Sequence, residues 1–138
     1  MGRVIHTDGV GKERTRLTKA VVLAIRELMR QPEPNDVTRD LAAFIALALE
    51  SVAETIDSSV GAWEKRGYWI KADRFRMEWA WTEKYSKSMR KAVNEDDWSA
   101  VAMTAVQVTE KLKNVHVPQR HRLGTPWVGA WERLQETN

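Results

Sequence analysis

The sequence predicts an all-α protein, an up-down-up-down four-helix bundle closed by a short C-terminal Trp-containing capping helix. Three observations predict it. Apolar residues recur at three- and four-residue spacing along most of the chain, no stretch sustains strand-type alternation, and four prolines and seven glycines divide the chain into long helical segments with short connections. Short connections between amphipathic helices favour antiparallel neighbours. The 138 residues, 43% hydrophobic and 30% charged, suit one globular domain over 1–138, with 1–11 as an N-terminal arm and 118–138 as a basic loop plus the short terminal helix.

The first helix is expected over Lys12 to Arg30, where Leu17, Val21, Ala24 and Leu28 share a face before Pro32 and Pro34 stop it. Asn35, Asp36 and Thr38 supply caps for the second. There Leu41, Ile45, Ala48, Val52, Ile56 and Trp63 oppose Glu50, Glu54 and Asp57. Its first turns, Leu41 to Leu49, are apolar all round, which places them at the centre of the bundle or in an interface. A third helix is expected over Tyr68 to Val93, with one stripe through Phe75 and Trp79 and a second, about 130° away, through Ile70, Met77, Trp81 and Tyr85. Asn94 to Asp97 opens a fourth helix that runs through Trp98, Val101, Ala105, Val108, Leu112 and Val115. Thr125-Pro126 then predicts the start of the last helix, carrying Trp127, Trp131 and Leu134. Charge alternates with these segments, being basic to residue 31, acidic over 32–63 and basic over 64–93, so the acidic second helix suits a place between two basic ones.

Several classes of function are excluded. With no cysteine the chain has no disulfide, zinc ribbon, thiol nucleophile or Cys-held iron cluster, and a reducing cytoplasm is the expected location. The first residues lack the apolar core of a signal peptide, and Leu41 to Leu49 has about half the length needed to span a bilayer, so no membrane partner is expected. Metal-carboxylate bundles need Glu-x-x-His pairs, and none of the three histidines, His6, His116 and His121, follows a glutamate at that spacing. No metal site, cofactor or catalytic residue is assigned. These motifs carry no resemblance to a known family.

Three constellations remain. Gly11, through its backbone N–H, with the basic Lys12, Arg14 and Arg16, then Arg76, Lys84, Lys87, Arg90 and Lys91, and Arg120 and Arg122, are candidates for DNA or RNA phosphates, or the basic residues form solvated faces balanced by the acidic helix. The Gly9/Gly11 segment is not a Walker A loop, because His6 stands where that motif needs glycine. Lys71, Arg74, Glu78 and Trp81 could line a pocket for a small anion or aromatic ligand, or form an ion pair across helices. Seven tryptophans are many for one core, so Leu41, Phe44, Leu47, Trp69, Trp127 and Trp131 are candidates for a homo-oligomer or protein-partner interface. Val60-Gly61-Ala62-Trp63-Glu64 recurs as Val128-Gly129-Ala130-Trp131-Glu132, by coincidence or as two similar docking turns. The leading expectation is a non-enzymatic, self-associating bundle module, followed by a phosphate-contacting nucleic-acid binder and then a small-ligand binder.

Overall fold

The computed structural model describes residues 7–137, and all regular structure among them is helical. Six helices follow in order: α1 Thr7–Met29, α2 Asp36–Lys65, α3 Trp69–Trp79, α4 Trp81–Asn94, α5 Trp98–Lys111 and α6 Ala130–Glu136. α2 is the hub. It packs on α1, α3, α4 and α6, while α5 lies on α4 and touches α1, so α1, α2, α4 and α5 close a ring of neighbours.

Leu41, Ile45 and Leu49 are fully buried with Ala42, Ala43 and Ala46, which resolves the all-apolar turns of α2 as the bundle centre. Small side chains there leave room for α4, whose buried Ser86 hydroxyl donates to the Ala46 carbonyl at 2.8 Å. The start of α2 follows its sequence signal. Asn35 accepts from the Thr38 amide at 2.9 Å, and the Asn35 amide donates to the Thr38 hydroxyl at 3.1 Å.

α1 begins earlier than expected, so residues 7–11 are helix rather than arm; residues 1–6 lie outside the described residues. Two glycines in a first helical stretch cost about 1 kcal/mol each relative to alanine. Packing offsets that cost: Val10 is buried and Arg14, one turn on, bonds to α2.

The expected third helix is two. Trp79 and Trp81 stack at 5.9 Å, and residues two apart in an unbroken helix point about 200° apart, so both rings reach one side only through a change of phase. The interruption at Ala80 supplies it, with the Thr82 hydroxyl taking the Trp79 carbonyl at 2.8 Å.

α5 starts where its cap predicts, Asp97 accepting from the Ala100 amide at 3.1 Å, and ends at Lys111, short of Val115. The chain then crosses back over α1, where Arg26 donates to the Val117 carbonyl at 2.8 Å. Thr125-Pro126 does not open a helix, because residues 126–129 form a turn and α6 starts at Ala130 after Gly129 in the left-handed region, φ +78°. Its cap comes from far away in sequence. The Asp40 carboxylate of α2 accepts from the Trp131 amide at 2.9 Å and the Gly129 amide at 3.2 Å. The repeated pentapeptide therefore has two structures, helix interior in α2 and turn into helix at α6, and is not a pair of similar docking turns.

Candidate functional site

The outer face of α3 is the most distinctive surface. α2 ends in a Schellman turn, with Gly67 at φ +80° and the Tyr68 amide donating to the Trp63 carbonyl at 2.9 Å, which sends α3 off in a new direction. One side of α3 docks on the end of α2: Ala72 is fully buried against Ile56 and Val60, and Phe75 meets Trp63 edge-on at 4.9 Å. The opposite side carries Ile70 and Met77, 71% and 78% exposed, with Trp69 beside them at 60%. The second stripe read from the sequence is thus divided at Ala80. Ile70 and Met77 face solvent, whereas Trp81 and Tyr85 pack against the core.

Arg14 anchors the inner side of the same region. Its guanidinium donates to the Ser59 hydroxyl at 2.8 Å, the Thr55 hydroxyl at 3.1 Å and the Thr55 carbonyl at 3.2 Å, and lies 4.8 Å from the centre of the Phe75 ring. Burial lowers its pKa from the ordinary arginine value, and no carboxylate pairs with it among the described residues. Arg14 therefore joins α1 to α2 and α3 rather than offering its charge to a phosphate. The signal that points to its partners is local: Thr55 and Ser59 are polar and one turn apart beside the apolar Val52, Ile56 and Val60.

Four other phosphate candidates are also paired within the chain. Arg16 pairs with Glu13, Arg76 with Glu64 at 2.8 Å and Asp73 at 2.7 Å, Lys87 with Glu83 at 3.1 Å, and Arg90 with Glu50 at 2.8 Å. Hydrogen bonding to Glu13 raises the Arg16 pKa, and bonds to Glu64 and Asp73 raise that of Arg76. Gly11 lies in the second turn of α1, where its amide belongs to the helix ladder and not to an exposed loop. Lys84 sits 5.5 Å from the Tyr85 ring centre, and Lys12, Lys91, Arg120 and Arg122 are exposed.

The pocket candidates do not converge. Lys71 lies over the Trp63 ring at 4.4 Å, Arg74 and Glu78 are exposed without a bond between them, and Trp81 stacks on Trp79. The interface candidates separate as well. Leu41, Phe44 and Trp127 are buried in this chain's own core and present no surface to a partner, Leu47 and Trp131 are half-buried, and Trp69 alone among the tryptophans is exposed. Arg39 covers Trp131, 5.8 Å from its ring centre. An open groove of about 650 Å³ between α2 and α4 is lined by Glu54, Asp57 and the Glu50–Arg90 and Glu83–Lys87 pairs. No cluster able to hold a metal ion occurs among the described residues, and no helix there is long and apolar enough to cross a membrane. No family model, curated protein or solved structure matches this chain.

Proposed function

We propose that this chain is a non-enzymatic interaction module of the cytoplasm, an up-down-up-down bundle that self-associates through the outer face of α3. One observation carries the reading: Ile70 and Met77 project from the side of α3 opposite the one that packs on α2, with Trp69 on its flank, each more than half exposed. Acid and base alternate with them, as Asp73, Arg74 and Glu78. A mixed surface of this kind suits a protein of like composition better than a phosphate backbone, which Asp73 and Glu78 would repel. The internal pairing of Arg16, Arg76, Lys87 and Arg90 weighs in the same direction.

Burying one large apolar side chain contributes about 1.5–3 kcal/mol, whereas association costs roughly 4–15 kcal/mol, so a face this small gives a weak dimer. Light scattering at high micromolar concentration is the test. The wild-type chain is expected to form a dimer that Ile70→Glu with Met77→Glu returns to monomer. A wild-type monomer at that concentration removes the reading. Oligonucleotide complexes that form at low salt and vanish at high salt, with the protein otherwise monomeric, would replace it with phosphate binding.

A further inference from the structure

The residue pattern of α3 also points to how two copies would meet, an inference that rests on the self-association proposed above. Ile70, Asp73, Arg74 and Met77 stand at i, i+3, i+4 and i+7 and form one seam on the side away from the buried Ala72. At about 100° per residue, Ile70 and Met77 lie near the midline of the seam, with Asp73 about 50° to one side and Arg74 about 50° to the other. Asp73 uses one oxygen for Arg76 at 2.7 Å while its side chain stays 67% exposed, and Arg74 has no ion pair among the described residues.

A second copy can be laid on this seam symmetrically in two ways. A two-fold axis perpendicular to the helix gives an antiparallel pair, in which each flank meets the same flank: Asp73 faces the partner's Asp73, and Arg74 faces the partner's Arg74. A two-fold axis along the helix gives a parallel pair and exchanges the flanks. Asp73 then meets the partner's Arg74 twice over, while Ile70 and Met77 each meet their own counterpart. Like charges across a seam oppose association and opposite charges fix register. We infer that α3 pairs in parallel with α3 of a second copy, around a two-fold axis running along the helix, with Asp73 against the partner's Arg74.

The chain contains no cysteine, so single cysteines placed on the seam report the arrangement cleanly. Both seam positions are exposed, and Ile70→Cys or Met77→Cys leaves the core untouched. In the parallel pair each variant alone oxidises to a covalent dimer. In the antiparallel pair Ile70 and its own counterpart are offset by about 10 Å along the axis, seven residues at 1.5 Å, beyond the roughly 7 Å reach of a disulfide. Ser88→Cys, exposed on α4, measures cross-linking by random collision.

The expected result is rapid self-linking of Ile70→Cys and of Met77→Cys against a slow Ser88→Cys. Cross-linking only when the Ile70→Cys and Met77→Cys proteins are mixed overturns the parallel arrangement and leaves self-association through α3 standing. A wild-type dimer with no cross-link above the collision rate overturns α3 as the seam. A wild-type monomer overturns the self-association reading itself.

Discussion

Replacing Asp40 by alanine removes the carboxylate that caps α6 from α2. Two backbone amides, those of Gly129 and Trp131, lose an ionised acceptor at 3.2 and 2.9 Å. Removing a side-chain cap costs about 0.5–2 kcal/mol, and a half-buried aspartate that holds two amides belongs at the upper end, about 2 kcal/mol. α6 has only seven residues and little stability of its own. The loss should therefore appear first as local opening of α6, which covers the core through Ala130 and Leu134, both fully buried. At 1.4 kcal/mol per factor of ten, 2 kcal/mol speeds amide exchange in 129–136 by about thirtyfold. Asp40→Asn keeps one acceptor oxygen and should fall between wild type and alanine. Peptide-resolved hydrogen exchange reads the effect, with α5 as the internal reference. Unchanged protection of 129–136 in Asp40→Ala, or a loss shared equally by α5, refutes the reasoning.

Arg14→Met leaves the Ser59 hydroxyl, 5% exposed, without its guanidinium donor, and should lower stability by about 1–3 kcal/mol in urea titration. Lysine at the same site cannot reproduce the planar fork and should recover less than half of that. The two copies of Val-Gly-Ala-Trp-Glu should respond to alanine with opposite signs. Gly61→Ala, inside α2 with open space around the added methyl, should stabilise by about 0.5–1 kcal/mol, whereas Gly129→Ala at φ +78° should destabilise by about 1 kcal/mol, both read from thermal melts. Hydrogen bonding to Arg16 holds the Glu13 carboxyl below its ordinary pKa, with a smaller opposing push from burial. The pair's contribution is therefore present above the unfolded carboxylate pKa and lost as pH falls through the lowered folded one. Both side chains are about half exposed, so the acid-limb difference between wild type and Glu13→Gln should stay below about 0.5 kcal/mol.

The parts of this fold that depend on neighbours in sequence are legible in the chain. Asn35 with Thr38, and Asp97 with Ala100, announce the starts of α2 and α5, because capping joins residues three apart. The start of α1 is hidden, since Gly9 and Gly11 argue against helix and only the distant contacts of Val10 and Arg14 overrule them. The break at Ala80 carries neither proline nor glycine, and it arises where two tryptophans pack on one side. The cap of α6 pairs residues some ninety positions apart, and no local pattern reports it. Among the functional candidates, counting cations in the sequence located the basic residues but not the carboxylates that Arg16, Arg76, Lys87 and Arg90 would meet. The stripe through Ile70 and Met77 was visible, and what remained hidden was that the core would take only its continuation through Trp81 and Tyr85.

The apolar interior is divided. Ile56, Val60 and Ala72, with Trp63 and Phe75 around them, form a small nucleus, and Trp79 at the end of α3 joins it to the large one that surrounds Leu41, Ile45 and Leu49. Because α3 up to Trp79 belongs to the small nucleus, that stretch can loosen while the rest of the molecule keeps its cooperative transition. A partner that grips α3 would then act on heat capacity and melting as well as on mass. Calorimetric traces should show a low-temperature shoulder in dilute solution that merges into the main peak as the protein is concentrated, since association stabilises the segment it binds.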